Sequence, residues 1–376
     1  MESTRDVLNE AKLRLGWGVT GQQDIGQYFG YLPVYTSSTN QGFQYIWNGQ
    51  WIAPLYPNAY DENLKWEETT TWNAGLDLAF LNNRITSSVD WYLRETEDLL
   101  AYTPVAGMNT ANYMTRNIGS LRNVGIEATV GAKPVVTKDF TWNTSVNVAW
   151  NRNKITALTG DAETSQIQAR DVPTGTGGGL QYHLVGEPAF SYLVYQQVYD
   201  AAGNPVEGQY VDQNADGIIN DDDKIIYHSP DPKMTFTWNN SFNYKNWDLG
   251  ISLRANLGNY VYNAPRYDRT RLDGVSGYML TNLMRDEYLF STTDGNLALS
   301  DYFVENASFI RCDNITLGYT FPELLNNALK LRLFGAVQNP FVITKYKGLD
   351  PEVFSGIDNN MYPRPITCTL GVVATF

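Results

Sequence analysis

Apolar residues recur at every second position in a series of segments along this chain. Leu13, Leu15, Trp17 and Val19 alternate with Arg14, Gly16, Gly18 and Thr20. Trp72, Ala74, Leu76, Leu78 and Phe80 alternate with Thr71, Asn73, Gly75 and Asp77. Ile85, Val89, Trp91 and Leu93 stand against Arg84, Thr86, Ser88 and Asp90, and Val124, Ile126, Ala128 and Val130 against Asn123, Gly125, Glu127 and Thr129. A period of two predicts strands with one apolar and one polar face. The pattern returns at 140–150, 234–244, 247–254, 315–321 and 329–338. It closes the chain at 366–376, where Ile366, Cys368, Leu370, Val372, Ala374 and Phe376 share the apolar side.

The connections add a second pattern. Short links at Asn82-Asn83, Thr137–Asp139, Lys245-Asn246 and Pro322–Ala328 alternate with longer ones near 21–65, 94–123, 152–233, 258–306 and 339–364. About ten strands with alternating short turns and long loops predict an all-β, antiparallel transmembrane β-barrel, or the last part of a larger one. In that reading the long loops are extracellular, the short turns periplasmic, and the C-terminal Phe376 lies in the periplasm. Aromatic residues sit near both ends of several apolar faces: Trp72 and Phe80, Trp142 and Trp150, Trp238 and Tyr244. They fit two interfacial girdles. A soluble sandwich would also alternate its faces but gives no reason for loop length to alternate.

Composition narrows the choice. The 376 residues carry 40 acids against 27 bases, a net charge of −13, which argues against a nucleic-acid partner. Aromatic residues make up 13% and charged ones only 18%. No apolar run is long enough for a membrane helix. The mean hydropathy of −0.34 does not exclude a barrel, whose lumen face is polar. The first residues, Met-Glu-Ser-Thr-Arg-Asp-Val, have neither the basic nor the apolar region of a signal peptide. Residues 1–376 are therefore expected to be the C-terminal part of a longer barrel protein. By strand parity Cys312 shares the polar face of Asn314 and Thr316, while Cys368 lies on the apolar face; no disulfide or metal site is expected of them.

The most chemical motif is Asp212-x-Asn214-x-Asp216-Gly217-Ile218-x-Asn220-x-x-Asp223. Oxygen ligands at alternate positions, the Ile218 carbonyl and a glycine for the sharp turn match a calcium-binding loop of the EF-hand type. An acidic surface turn fits the same residues, and Asp in place of Glu at the last position shortens the reach. The two histidines, His183 and His228, lie in long segments without a nucleophile beside them and read as surface residues. Asp77, Asp90 and Asp248 fall on polar strand faces and read as lumen-lining groups. Aromatic residues of the first long loop, above all Tyr31, Trp47 and Trp51, are candidates for substrate binding, because aromatic faces stack on sugars and pack on peptides. The stretch Met279–Tyr288 has the spacing of a short amphipathic helix.

Several segments resemble the SusC/RagA family of TonB-dependent outer-membrane transporters of Bacteroidetes. They are Leu64-Lys-Trp-Glu67, Arg94–Leu100, Asn117–Glu127, Asp212–Asn220, Ser308–Tyr319, Gln338-Asn-Pro-Phe341, Lys345–Glu352 and Tyr362-Pro-Arg-Pro365. The resemblance implies a plugged barrel of roughly twenty-two strands, of which this chain would supply the later ones. It implies TonB-dependent import of oligosaccharides or peptides, with a SusD-like surface lipoprotein as partner and the TonB complex engaged through an N-terminal part. It also makes the last strand, with Leu370, Val372 and Phe376, an assembly signal for outer-membrane insertion, and it implies no enzymatic activity. A soluble or surface-anchored β-rich carbohydrate-binding protein is the alternative from another class, and an outer-membrane enzyme is a third.

Overall fold

The computed structural model describes residues 7–22, 31–37, 44–104, 113–158, 166–173, 178–272, 283–284, 288–291, 295–324 and 329–375. All ten expected strands form. They are β1 (Leu8–Gly21), β2 (Glu68–Phe80), β3 (Ile85–Glu97), β4 (Gly119–Val136), β5 (Phe140–Leu158), β6 (Met234–Tyr244), β7 (Trp247–Leu257), β8 (Phe309–Leu324), β9 (Leu329–Thr344) and β10 (Thr367–Thr375). They make one antiparallel sheet in chain order, each strand beside the next. Consecutive antiparallel pairing needs only hairpin links, which is why four of the connections can be short.

Register explains the two faces. Residues directly opposite in a ladder share a face. Trp17 faces Trp72, Trp72 faces Leu93, and Leu93 faces Val124. Val146 faces Trp238, which faces Leu253. The apolar stripes of neighbouring strands therefore fuse into one continuous surface, and that surface is bare: Leu15 is 76% exposed, Trp17 63% and Leu370 92%. So broad an exposed apolar sheet does not suit water. It suits hydrocarbon, where closed β-pairing satisfies the backbone and side chains meet lipid. The opposite face carries Arg14, Asp77, Asp90, Asn147, Thr237, Asp248 and Arg332. No helix among the described residues is long and apolar enough to cross a membrane.

Three expectations need correction. The strands are longer than the periodic segments, because β5 runs on to Leu158 and β4 begins at Gly119, beyond the alternation. The compact turn expected at Pro322–Ala328 starts later: β8 reaches Leu324, which pairs with Leu329, and residues 325–328 lie outside the described residues. Cys312 does not share the face of Asn314. A bulge separates them, so that Cys312 aligns with Leu253 and Phe341 while Asn314 aligns with Ser252 and Gln338. One extra residue reverses side-chain parity. Cys312 is buried, Cys368 is exposed, and both are free thiols.

The buried core is not in the sheet. It lies in the long connections, where Leu180, Tyr192, Val194, Tyr195, Tyr262, Tyr267, Phe290, Leu297 and Phe303 pack into one cluster with Ile357. The described residues of three long connections, between β5 and β6, β7 and β8, and β9 and β10, thus fold together as a cap at one end of the sheet. Short strands stitch it: Gly179–Leu184 with Ser191–Tyr195, Ser191–Tyr195 with Lys224–Ile226, and Tyr260–Asn263 with both Val304–Asn306 and Ile357–Asp358. A helix, α1 (Ala264–Arg269), is capped by the Asn263 side chain accepting from the Arg266 N–H.

Candidate functional site

The inner face carries ion pairs that cross strands. Arg14 on β1 donates to Asp77 on β2 at 2.8 and 2.9 Å and to Asp90 on β3 at 3.0 Å. Between them β2 presents Gly75, where an added Cβ would lie 2.7 Å from the Arg14 guanidinium carbon. The glycine lets one arginine reach across a whole strand. Arg332 on β9 reaches Asp248 on β7 in the same way, past Gly318 on β8. The expected lumen aspartates are therefore where the sequence placed them, and each is held by an arginine.

A larger network sits at the long-loop end. Arg254 on β7 donates to Asp313 of the β8 bulge at 3.1 and 3.2 Å and to Glu352 of the last long loop at 2.8 and 3.0 Å. Arg311 on β8 is buried. It donates to Asp350 and to the Asn339 side chain, both at 2.6 Å. Its Nε has no hydrogen-bond partner and lies 3.6 Å from Glu352. Arg364 also bonds Glu352. Three arginines and three carboxylates thus balance. Burial opposes the charge on Glu352, yet hydrogen bonds from Arg254 and Arg364 hold its carboxyl down at about 2. A cavity of about 440 Å³ opens beside the network, lined by Arg254, Arg311, Asp313, Gln338, Asn339 and Arg364.

The same loop is tied to the cap. The Ser355 carbonyl accepts from Arg170 at 2.8 Å and from Gln181 at 3.1 Å. The buried Tyr192 hydroxyl donates to the Gly356 carbonyl at 2.6 Å, and Tyr346 donates to Asp358 at 2.8 Å. Residues 345–366 therefore join the inner wall to the cap. This network is not among the sites expected from the sequence. Its signal was present, because Arg311, Asp313, Asn339, Asp350, Glu352 and Arg364 all lie within the segments that carry the family resemblance.

The expected ligand residues are scattered. Trp47 and Trp51 lie on a hairpin, Tyr45–Trp47 with Gln50–Ile52, whose Asn48-Gly49 turn has φ of 49° and 76°. Ile46 opposes Trp51 and Gln50 opposes Trp47, so the two indoles project from opposite faces. Both are exposed, as is Tyr31. In the acidic loop Asp212 accepts from the Ala215 and Gly217 N–H groups at 2.7 and 2.8 Å, and Asp216 from Ile218 at 2.8 Å. Asp223 is buried and accepts from Gln213 and Asn220 at 2.8 Å each. Hydrogen bonds from these backbone groups, Asn220 first, hold its pKa below the usual range despite burial. Among the described residues no three carboxylates, imidazoles or thiols converge as a metal centre.

His183 is not a plain surface residue. It is half-buried, packs edge-on to Phe190 at 4.6 Å, and its Nδ1 is buried without a partner; burial, then Arg170, lowers its pKa. His228 is exposed and stacks on Tyr260 at 3.7 Å. Leu370 and Val372 of β10 are exposed on the apolar face, and Phe376 lies outside the described residues. Most of Met279–Tyr288 also lies outside them, and Leu283 and Met284 are not helical.

An apolar outer face, a charged inner face and loops gathered at one end define the wall of a membrane β-barrel. The profile of the family described as "TonB dependent receptor-like, beta-barrel" matches residues 5–339, and the chain belongs to that family of outer-membrane proteins. Within it the chain is 47% identical to the TonB-dependent receptor SusC of Bacteroides thetaiotaomicron, over 99% of this chain and 38% of that one. It is 27% identical to the TonB-dependent receptor P3 of Formosa agariphila, over 97% of this chain and 39% of the relative. The fold matches the RagAB peptide transporter with a TM-score of 0.78 and 23% identity, over 98% of this chain and 41% of that one. The chain thus spans well under half the length of these relatives.

Proposed function

We propose that this chain is part of the wall of a TonB-dependent importer that carries oligosaccharides, or peptides, across the outer membrane. The observation that carries the reading is the pairing of a bare apolar outer face with an inner face of crossed ion pairs, in a chain 47% identical to SusC. The long-loop cap faces the cell exterior and the short turns face the periplasm, with Phe376 on the periplasmic side. A SusD-like surface lipoprotein delivers the nutrient onto the cap. Coupling to a TonB complex resides in the length of such proteins that this chain does not span. Tyr31, Trp47 and Trp51 are exposed and stand ready to contact ligand, each on its own rather than as one platform. A deletion strain grown on panels of oligosaccharides and of peptides tests the import reading. Lost growth on one oligosaccharide, with growth on its monosaccharide intact, is expected. Loss on peptides alone would assign the peptide class, and normal growth throughout would refute import.

The loop 212–223 is proposed to hold calcium through Asp212, Asn214, Asp216, Asn220, Asp223 and the Ile218 carbonyl. Carboxylates that accept N–H bonds keep lone pairs for a cation, and binding would draw Asp212, Asp216 and Asp223 together. The ion would stiffen the loop. Chelation of calcium is expected to speed hydrogen exchange in 212–223 and leave the sheet unchanged; equal exchange with and without calcium would refute it.

A further inference from the structure

Pairing between β5 and β6 stops before β5 does. The last rung joins Trp150 to Met234, followed by a long Asn151 N–H to Lys233 carbonyl bond of 3.4 Å. Pairing along that edge resumes at Ile155, whose N–H donates to the Glu187 carbonyl and whose own carbonyl accepts from the Gly186 N–H, both at 2.9 Å. Between these points the wall has a slot, a cavity of about 470 Å³.

Its lining is specific. Trp150 belongs to the apolar outer face, in register with Ile126 and Met234. Arg152 is two residues further along and opposes Val124, so by parity it also points outward. Lys233 borders the slot at the start of β6. Arg152 and Lys233 are exposed, and neither has an ion-pair partner among the described residues. Glu187 and Asp231 also line it, Asp231 accepting from the Asn153 amide at 2.7 Å. The slot therefore offers two free cations, two carboxylates and an indole. It adjoins Trp150 at the loop-side end of the apolar belt, where an aromatic residue marks the interface in membrane barrels.

We propose that this slot binds the headgroup of a phosphorylated glycolipid of the outer leaflet. A phosphate would take Arg152 and Lys233, for which it is the natural counter-ion. Sugar hydroxyls would donate to Glu187 and Asp231, groups that a bare phosphate would be repelled by. The acyl chains would run down past Trp150 onto the apolar face. This rests on the orientation proposed above, with the cap at the outer leaflet.

Native mass spectrometry of the complete protein, extracted in mild detergent from its own outer membrane, tests it. The wild type is expected to retain a phosphorylated glycolipid. The variant Arg152→Gln with Lys233→Gln should retain about tenfold less or lower, as expected of lost charge-assisted contacts. Arg122→Gln, outside the slot lining, should change nothing. The two single variants are measured beside the double one, so that poor assembly of the double leaves a readable result. Equal retention in wild type and variants would overturn the proposal. Retention of a glycerophospholipid alone, dependent on Arg152 and Lys233, would overturn the glycolipid and the orientation together. Glycolipid retention in a protein that fails to import would leave the slot standing without the import reading.

Discussion

Single residues decide how the last long loop is held. Arg311 is buried and donates to Asp350, itself buried, and to the Asn339 side chain. Breaking a buried pair leaves an uncompensated charge, so Arg311→Met is expected to cost about 3–5 kcal/mol. A urea-unfolding midpoint in detergent, compared with wild type, measures this; an unshifted midpoint would show the pair to be idle. Glu352 makes a pH prediction. Its pKa falls from 4.5 to about 2 on folding, so the stabilisation from its charge is complete above 4.5 and is lost as pH falls toward 2. A fluorophore on Phe354→Cys, a position 98% exposed, reports the loop. Its anisotropy should stay high at pH 5 and drop toward pH 2, and should be low at neutral pH when Glu352→Gln is added. A drop centred above pH 4.5 in the otherwise native loop would contradict the assigned contacts. The sequence marks these residues through the segments that carry the family resemblance but does not show which of them pair. Arg311 and Glu352 are 41 positions apart, and only folding brings them together.

At the scale of the strand, periodicity was enough. Every segment with alternating residues became a strand, because a two-sided environment imposes a period of two. What it could not locate were bulges and extensions. The bulge at 312–314 shifts parity without any glycine or proline to announce it, and it is what lets Asp313 reach Arg254. The end of β5 carries Arg152 and Lys154 outside the apolar belt, where alternation of apolar and polar residues no longer applies. The two faces make a direct prediction. Leu317 lies on the apolar face of β8 and Thr316 on the inner face. Leu317→Arg near mid-belt should destabilise by about 2–4 kcal/mol, and Thr316→Arg by much less. Assembly yield in the outer membrane and unfolding in bilayers read the difference, and equal costs would remove the basis for calling one face lipid-exposed. The final strand adds a second prediction. Phe376→Asp is expected to block assembly of the complete protein, and normal surface levels of that variant would refute the signal role of Leu370, Val372 and Phe376.

The whole molecule reverses the usual arrangement of a soluble protein. Its sheet has an exposed apolar side, and its packed core lies in the connections. The cap was invisible in the sequence for a physical reason. Tyr192 comes from one connection and Tyr262, Phe290 and Phe303 from scattered positions of another, with no shared period, and each looks like an isolated loop aromatic until the others arrive. The aromatic loop residues singled out for ligand binding remain exposed, while the tyrosines passed over form the core. The wall, by contrast, is readable from Ile366–Phe376 and its fellows, since a lipid-facing strand must repeat its apolar residue at every second position over its whole span.

Cysteine labelling in intact cells tests the membrane-wall assignment most directly. In a Cys368→Ser background, Asp216→Cys in the cap and Lys138→Cys in a short turn are each exposed to a membrane-impermeant maleimide. The expected result is labelling at position 216 in intact cells, and at 138 only after the outer membrane is opened. Equal labelling of both in intact cells, or recovery of the protein in the aqueous fraction without detergent, would contradict a sheet that spans the outer membrane with its cap outside.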